Sequence, residues 1–326
     1  MRRIVNLTIA ARVSPLITML KIGSLKLKSN LILAPLAGIS DLPFRMLNRM
    51  FGAELGFVEM INCRSMGFKS KRTLQMLSTH PEDRPLGVQL LGCEEEYVLR
   101  ALGVLKKYEF DLLDFNAACP AKKVTRRGEG ASLLRDPKLL HKLLKLVVKH
   151  SKKNLPITVK IRSGWDRNSV NAREVALLAE DAGVDGLFIH GRTKMQGYSG
   201  DVDYKAIAEV KKALKIPVIA SGNIFTAQLT KKMFDETGCD GVAVARGALG
   251  NPWIFSGEKP QKSETVRVML KHMNDCIVFY GERVGVMKFR KFFCWYTAGM
   301  RKVRQLREKS SRAKTQSQMM EIIEGV

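Results

Sequence analysis

The segment PITVKIRSGWDRNSVNAREVALLAEDAGVDGLFIHG, residues 156–191, decides the fold. It begins and ends with apolar runs, at 156–162 and 185–191, in which polar and apolar residues do not alternate. Such runs of Ile, Val and Leu are typical of parallel strands that are covered on both faces. Between them, NAREVALLAEDAG at 171–183 has apolar residues at helical spacing and ends in Gly, which predicts a helix. The segment is therefore interpreted as a strand, a helix and a second strand.

Six further runs of the same kind occur, which makes eight. They are LILAP from 31, LGFVEMI from 55, PLGVQLL from 85, FDLLDFN from 110, IPVIASG from 216 and DGVAVAR from 240. Helical patterns lie between them, such as DPKLLHKLLKLVVKH at 136–150 with Pro137 in its first turn. Eight such units predict an α/β protein with a (β/α)₈ TIM barrel. An open doubly wound sheet is the alternative, but it would need a GxGxxG loop after the first strand, and APLAG at 34–38 is not one.

Three regions follow from these patterns. We expect an N-terminal extension at 1–18, a barrel at 19–257 and a small helical domain at 258–326. Disorder is one expectation for the extension. The extension carries Arg2, Arg3 and Arg12 and no acid. It is either a transit peptide or extra sequence ahead of an internal start at Met19, and we favour the second, because it lacks the long apolar stretch of a secretory signal.

The composition narrows the class of function. The chain has 326 residues, 45% of them hydrophobic and 26% charged, which is the balance of a globular protein. Its 55 Lys and Arg against 31 Asp and Glu give a net charge of +24. An excess this large favours a nucleic acid partner over an anionic membrane surface or mere solubility. Because the chain lacks an apolar stretch of membrane-spanning length, and its six cysteines form no CxxC pair or His cluster, we expect a cytoplasmic protein without disulfides or zinc.

The charge is concentrated near the C-terminus. Between Arg283 and Lys314, eleven Lys or Arg accompany a single acid, Glu308. The aromatic residues interleaved there are interpreted as helix core, whereas the charge excess indicates a nucleic acid surface, because a merely soluble helix mixes signs. These aromatic residues are Phe289, Phe292, Phe293, Trp295 and Tyr296.

Polar residues cluster at the predicted carboxyl ends of the strands, where barrels carry their sites. Glycine turns after the seventh and eighth strands let backbone amides approach an anion, although tight turns need Gly anyway. Lys160 is costly in an apolar strand unless it meets an anion or an electron-rich ring. Together with the glycine turns, it predicts a phosphorylated cofactor. A cation at this place would stabilise a reduced flavin. Pairing of Lys160 with an inner carboxylate is the alternative.

Cys119 is singled out by its position. It lies in NAACP, just past the fourth strand, where Pro120 ends the strand and holds the thiol at the turn. Most free cysteines are small core residues, and the other five cysteines are interpreted as packing.

Several long motifs resemble the tRNA-dihydrouridine synthase family. They are APLAGISDLPFR from 34, GVQLLG from 87, DFNAACPAKKVTRRGEGASLL from 114, VKIRSGW from 159, IHGRTKMQGYSG from 189, ASGNI from 220 and ARGALGNPWIF from 245. The resemblance implies a barrel that binds FMN and a helical domain that binds tRNA. It implies reduction of uridine in tRNA to 5,6-dihydrouridine, with NADPH or NADH as electron donor. We expect a monomer that uses no metal and no membrane.

The resemblance also implies site residues. Cys119 matches the proton donor, and Asn116 and Arg162 match residues that hold the target uracil. Two departures, Ala118 for the commoner Gly and SGN for the frequent NGD at 221–223, affect loop geometry rather than a catalytic group. The residues that match FMN ligands are Pro35, Leu36, Ala37, Gln89, Lys160, His190, Ser221, Gly222, Asn223, Ala245 and Arg246.

The reaction needs these groups. Hydride addition to uracil C6 leaves an enolate, which donors such as Asn116 and Arg162 would stabilise at the carbonyl oxygens. C5 then gains a proton, and a thiol with a pKa near its usual value of about 8.5 can donate it. Nearby cations would lower the pKa of Cys119, so we expect them to face FMN and substrate instead.

The target base must be extruded from the RNA, at a cost that contacts to the rest of the RNA offset. The candidates for phosphate contact are the basic C-terminal helices and four residues after Cys119, namely Lys122, Lys123, Arg126 and Arg127. Gly128 and Gly130 in that loop either keep it supple or simply form turns.

Two other functions fit parts of the pattern. A reductase of small molecules, similar to dihydroorotate dehydrogenase or old yellow enzyme, would share the barrel and the lysine but not the basic helices. A non-catalytic RNA-binding protein is disfavoured by the intact set of Asn116, Cys119, Lys160, His190 and Arg162. The position of the modified uridine does not follow from the sequence.

Overall fold

A computed structural model describes residues 18–67 and 71–326. All eight predicted strands are present, and the second is split in two. The extension predicted at 1–18 lies outside the described residues except for Thr18. The strands are β1 (Leu20–Ile22), β2 (Leu25–Leu27), β3 (Leu31–Leu33), β4 (Gly56–Phe57), β5 (Ile61–Asn62), β6 (Leu86–Leu91), β7 (Leu112–Asn116), β8 (Ile157–Arg162), β9 (Gly186–His190), β10 (Val218–Ser221) and β11 (Gly241–Val244).

Nine of these strands form one parallel sheet in the order β3-β11-β10-β9-β8-β7-β6-β4, with β5 also pairing with β6. The sheet curls into a nearly closed barrel, because Ile32 of β3 forms a parallel bridge with Leu55, next to β4. The amide of Leu33 donates to the carbonyl of Leu55 at 2.9 Å across the same seam. The predicted TIM barrel is therefore confirmed, and the open doubly wound sheet is not formed.

The remaining two strands form an antiparallel hairpin, β1 with β2, that the sequence did not reveal. It covers the amino-terminal end of the barrel. A Cβ on Gly186, the first residue of β9, would lie 3.1 Å from Ile22, and one on Gly241, the first residue of β11, would lie 3.0 Å from Leu20. The apolar face of the hairpin thus closes this end of the barrel.

The helices around the barrel begin where the sequence provides caps. Asp136 accepts a hydrogen bond from the amide of Leu139 at 3.0 Å, with Pro137 in the first turn, so the helix predicted at 136–150 is confirmed. The helix predicted at 171–183 is confirmed as well. The helices are α1 (Leu42–Met50), α2 (Cys63–Gly67), α3 (Lys71–Met76), α4 (Glu95–Leu105), α5 (Lys122–Thr125), α6 (Pro137–His150), α7 (Ala172–Asp181), α8 (Tyr204–Ala213) and α9 (Ala227–Thr237).

The C-terminal region is helical, as predicted. Its aromatic residues are core, since Phe289, Phe292 and Phe293 are fully buried, and Phe292 stacks on Phe44 of α1 with ring centroids 5.6 Å apart. One apolar core therefore runs through barrel helices and C-terminal helices alike. A domain boundary at 257/258 stays a prediction. The helices are α10 (Lys262–Tyr280), α11 (Glu282–Tyr296), α12 (Arg304–Arg312) and α13 (Gln316–Glu324).

The described ranges, 18–67 and 71–326, contain neither a membrane-spanning helix nor a metal cluster. None of their helices is long and apolar enough to cross a lipid bilayer. No group of three or more His, Cys, Asp or Glu residues in them is arranged to hold a metal ion.

Candidate active site

A cavity of about 910 Å³, counted out to its open mouth, lies at the carboxyl ends of the barrel strands. It brings together Cys119, Asn116, Arg162 and all eleven residues predicted to hold the cofactor. The predicted residues in its lining are Pro35, Leu36, Ala37, Gln89, Asn116, Cys119, Lys160, Arg162, His190, Ser221, Gly222, Asn223, Ala245 and Arg246. Lys122, Lys123, Arg126 and Arg127 are not part of this lining and lie exposed on and just after α5.

A chain of buried amides and a carboxylate forms part of the site. Asn116 donates from Nδ2 to Gln89 Oε1 at 2.8 Å, and Gln89 donates from Nε2 to Asp114 Oδ2 at 2.6 Å. Thr158 Oγ1 donates to the other Asp114 oxygen at 2.7 Å. Burial raises the pKa of Asp114 to about 6, although these hydrogen bonds and the charge of Lys160 act against the rise. Sequence reasoning missed Asp114, and the signal for it was an acid inside the apolar run FDLLDFN.

Lys160 projects from β8 into the cavity without a direct partner. Its Nζ makes no ion pair or hydrogen bond within the described part of the chain, and it lies 5.7 Å from the ring centroid of Phe188. Burial lowers the pKa of Lys160 to about 8, with Asp114 opposing this and Arg162 adding to it. The Asp114 carboxylate accepts its hydrogen bonds from Gln89 and Thr158. Lys160 therefore does not form the ion pair with an inner carboxylate that was the alternative. The ammonium remains available to an anion or an electron-rich ring.

The turn that carries Cys119 is fixed by two of the predicted residues. Asn116 Oδ1 accepts from the amides of Ala118 at 3.0 Å and Cys119 at 2.8 Å. Arg162 donates from Nε to the carbonyl of Ala118 at 2.7 Å and from Nη1 to the carbonyls of Thr193 and Gly197. Both side chains therefore position the thiol. None of the hydrogen bonds among the described residues uses Nη2 of Arg162.

The thiol of Cys119 stays protonated near neutral pH. Burial raises its pKa above the ordinary value, and this outweighs the backbone hydrogen bond from Ala121 and the charge of Arg162, which both act to lower it. The expected conflict between cations and a proton-donating thiol is thus resolved by desolvation. A protonated thiol can act as a general acid.

Gly130 and Gly128 both adopt left-handed backbone conformations, with φ of +61° and +78°. A Cβ on Gly130 would lie 2.8 Å from the carbonyl oxygen of Cys119 and 3.0 Å from its Cβ. Gly130 therefore lets the following chain pack directly behind the Cys119 turn. These observations favour the turn-forming role of the two glycines.

The turns after β10 and β11 suit a phosphate group. Gly222 has φ of +131° and Asn223 of +53°, and within the described ranges neither backbone amide donates a hydrogen bond. A Cβ on Gly247 would lie 1.8 Å from the carbonyl oxygen of Ile224, so the two turns are pressed together. The Arg246 side chain joins them in the cavity lining. Free amides and a cation are the groups that bind phosphate in barrels.

His190 is neutral, since burial and the surrounding cations, Arg162 first among them, lower its pKa well below the ordinary value. Beside it, Tyr198 was missed by sequence reasoning. The centroid of its ring is 5.7 Å from the guanidinium carbon of Arg162 and 4.6 Å from that of Arg246, and 56% of the residue is exposed. The signal in the sequence was a lone aromatic residue in the glycine-containing loop QGYSG.

The helical region also holds the first loop of the cavity, which the sequence could not indicate. Tyr280 donates to Asp41 Oδ2 at 2.8 Å, and Asp41 caps α1. Lys291 Nζ donates to the carbonyl of Gly38, whose amide donates to Glu59. Leu36 and Ala37, just before Gly38, line the cavity, so α10 and α11 help to set its shape.

The other cysteines differ among themselves. Cys63, Cys239 and Cys276 are buried, which agrees with packing roles. Cys93 is half-buried, and its sulfur lies 3.2 Å from the carbonyl oxygen of Arg127. The interpretation as packing is wrong for Cys294, which is exposed on α11.

Some cations of the helical region pair with acids, such as Lys271 with Asp275 and Arg312 with Glu308, and others differ in exposure. Arg290 and Arg307 are structural, because they donate to the carbonyl of Ala313 and to Thr297 Oγ1, each at 2.9 Å. Arg301, Lys302 and Arg304 are exposed, and within the described chain they have no ion-pair partner. The exposed group runs from the connection after α11 to Arg304, the first residue of α12.

Fold and cavity together define the class: an enzyme built on a TIM barrel with its site at the carboxyl ends of the strands. Solved structures with this fold include morphinone reductase in complex with tetrahydroNAD, at a TM-score of 0.55 and 15% identity, covering 77% of this chain and 93% of that one. The old yellow enzyme homologue from Zymomonas mobilis has a TM-score of 0.55 at 14% identity, covering 77% and 98%. At these identities the likeness concerns the fold.

A family profile described as dihydrouridine synthase matches residues 32–324. A probable tRNA-dihydrouridine synthase of Rickettsia typhi is 40% identical over 294 residues, which is 86% of this chain and 89% of the relative. The tRNA-dihydrouridine synthase B of Pasteurella multocida is 37% identical over 292 residues, covering 86% and 87%. The chain belongs to the dihydrouridine synthase family, and it is an oxidoreductase.

Proposed function

We propose that this protein reduces the C5–C6 double bond of uridine in tRNA to give 5,6-dihydrouridine, with FMN as cofactor and NADPH or NADH as electron donor. The observation that carries the proposal is the convergence in one cavity of a thiol whose pKa is raised, an ammonium without an ion-pair partner among the described residues, and a glycine turn with free backbone amides. The names of the relatives support tRNA as the substrate.

FMN fits the residues on the two sides of the cavity. Its phosphate would be held by the amides of Gly222 and Asn223 and by Arg246. Lys160, whose ammonium lacks a direct partner, would lie against the pyrimidine part of the ring, where negative charge collects on reduction. When bound, the flavin supplies the hydride that adds to C6 of the uracil.

Cys119 would supply the proton to C5. Its raised pKa keeps it in the thiol form at neutral pH, and its turn is fixed by Asn116 and Arg162. A general acid held at the right place contributes about 10²- to 10⁴-fold in rate.

Arg162 and Asn116 have different parts in this proposal. Nη2 of Arg162 is free to donate to a uracil carbonyl oxygen, and such a donor stabilises the enolate that hydride addition creates. The Asn116 side chain already uses Oδ1 and Nδ2 inside the protein, so we assign it to positioning Cys119.

The tRNA would lie across the mouth. The exposed cations on and after α5 lie next to Cys119 in the chain, and Arg301, Lys302 and Arg304 form a second basic surface in the helical region. Both would contact phosphates and offset the cost of extruding the base.

The test is reduction of transcribed tRNA by the purified protein with NADPH, followed by mapping of dihydrouridine. Free uridine serves as the competing acceptor. We expect a yellow protein that reduces tRNA and leaves the nucleoside nearly untouched. Preference for a small acceptor would favour the small-molecule reductase, and a colourless protein that binds tRNA would favour the non-catalytic RNA-binding protein.

A further inference from the structure

A second cavity adjoins the candidate active site, between the turn after β11 and the end of α11. It reaches about 1300 Å³ when counted out to its open mouth. Phe225, Arg246 and Gly247 belong to the linings of both cavities. The two cavities are therefore neighbours that share part of one wall, so a polynucleotide could place adjacent nucleotides in them.

The walls of this second cavity are aromatic and firmly held. Trp295 is partly buried and meets Phe292 edge to face, with ring centroids 5.3 Å apart. Phe225 is 40% exposed. A Cβ on Gly250 would lie 2.4 Å from the backbone nitrogen of Tyr296, so the turn after β11 is packed tightly against α11. A fixed aromatic wall suits a planar ring.

The rim of the cavity is positive. Lys262 and Arg301 line it, both are exposed, and neither makes an ion pair or hydrogen bond within the described residues. Arg246 adds a third cation, so the lining holds three cations against the terminal carboxylate of Val326, and no described Asp or Glu side chain is part of it. Aromatic walls with a positive rim match a nucleobase that carries a phosphate.

We propose that this cavity binds a second nucleotide of the RNA, adjacent in sequence to the target uridine. Its base stacks on Trp295, and its phosphate contacts Arg301 and Lys262. The proposal rests on the proposed function. Extrusion of the target uridine removes stacking from its neighbours, and capture of one neighbour replaces part of that stacking.

The experiment measures the affinity of the FMN-loaded protein for transcribed tRNA. One transcript carries an abasic nucleotide on the 5′ side of the mapped dihydrouridine position, and another carries it on the 3′ side. We expect Trp295→Ala to weaken binding about five- to hundredfold, as for loss of one base–aromatic stack. Trp295→Phe keeps a ring and should bind close to wild type.

The decisive result is coupling between protein and RNA. One of the two abasic transcripts should bind wild type more weakly, and Trp295→Ala should add no further loss with that transcript. Trp165→Ala is the matched control, since its ring lies outside this cavity and between Arg135 and Lys194, at 4.9 and 4.3 Å. With Trp165→Ala the effect of the abasic site should persist.

Three outcomes would overturn the proposal: wild-type affinity of Trp295→Ala, additive effects of Trp295→Ala with both abasic transcripts, or a raised KM for NADPH with unchanged RNA affinity. The last would assign the cavity to the electron donor. Thermal unfolding of both Trp295 variants controls for weakened packing on Phe292, and the Phe variant keeps the test valid if the Ala variant does not fold. Failure of the proposed function looks different, because wild type would then form no dihydrouridine in any transcript.

Discussion

The barrel mouth and the helical region are both rich in cations, but they hold them differently. At the mouth, Arg162 is buried and Lys160 is half-buried in the cavity wall, and desolvation lowers the pKa of Lys160 to about 8 and that of Arg162 to about 10. In the helical region, Arg301, Lys302 and Arg304 are exposed to solvent. Buried cations are poised for one fixed anion, whereas exposed ones give a diffuse, salt-sensitive attraction. Under the proposed function, the same excess of positive charge serves cofactor and substrate in one region and a polyanion in the other.

The largest effect we expect is from Cys119→Ala. Loss of the general acid should reduce turnover about 10²- to 10⁴-fold, while flavin content and tRNA affinity stay near wild type. Single-turnover oxidation of the reduced protein by tRNA measures it. Cys294→Ala, an exposed thiol on α11, is the control and should react normally. In wild type the rate should fall at alkaline pH, as the thiol loses its proton. Undiminished turnover in Cys119→Ala would remove the thiol from the mechanism.

Lys160→Met tests the buried cation. Removal of the ammonium should weaken FMN binding about tenfold to hundredfold, the range for a hydrogen bond to a charged group. Since the pKa of Lys160 is about 8 and only its protonated form attracts an anion, wild-type FMN affinity should fall as pH rises through about 8. That fall should be absent in the variant.

Fluorescence of released FMN measures this affinity. Lys211→Met is the matched control, because Lys211 forms a surface ion pair with Asp240 at 2.6 Å, away from the cavity. Equal FMN affinity in wild type and Lys160→Met would show that the ammonium has another use.

The exposed cations are tested by Arg301→Gln combined with Arg304→Gln. Removal of each cation that binds a phosphate should reduce the slope of log affinity for tRNA against log salt by about 0.7 to 0.9, so the double variant should bind more weakly and less salt-dependently. Arg307→Gln is the contrast, since Arg307 donates to Thr297 and should chiefly affect thermal stability. An unchanged salt slope in the double variant would show that this surface is solvated and does not bind RNA phosphates.

Gly130→Ala should have a smaller effect, on stability and turnover together. The left-handed conformation costs a non-glycine residue about 1–2 kcal/mol, and the new Cβ would also press on Cys119. Gly128→Ala meets only the sulfur of Cys93, at 3.6 Å, so it should show the backbone cost and keep its activity per folded molecule. Thermal unfolding and turnover of the two variants separate the cost of the backbone conformation from the effect of the new contact with Cys119. Equal turnover would show that the packing behind Cys119 accommodates an extra methyl group.

The smallest expected effect comes from Lys302→Gly. Lys302 has φ of +60°, a conformation that Gly adopts freely, so the substitution should stabilise the protein by about 1 kcal/mol or less. Chemical denaturation measures it. A destabilised variant would mean that the Lys302 side chain contributes packing that its exposure does not suggest.

The sequence predicted the barrel well because buried parallel strands are continuous apolar runs, and most of these runs are followed by a polar residue or glycine. The hairpin β1–β2 was missed because strands of three residues are too short for any periodicity. The same pattern predicted a cluster of polar residues at the strand ends, whereas their individual roles follow from the resemblance to the family.

What the sequence could not supply depends on contacts between distant segments. Lys291 and Tyr280 reach the first loop of the barrel across more than two hundred residues of chain. Exposure is equally hard to predict, as Cys294 shows, because a cysteine on an amphipathic helix can face either side. For Asn116 we propose a positioning role where the resemblance implies contact with the uracil, because its hydrogen bonds to the Cys119 turn depend on a backbone conformation that the motif does not specify.

The hairpin at the amino-terminal end has a kinetic consequence. Because the hairpin covers one end and side chains fill the barrel interior, a flavin bound as proposed would be reached through the cavity mouth at the carboxyl ends of the strands. A dinucleotide reductant and a folded RNA are too large to occupy this mouth at the same time. They would have to bind in alternation, so that an excess of either one slows the binding of the other.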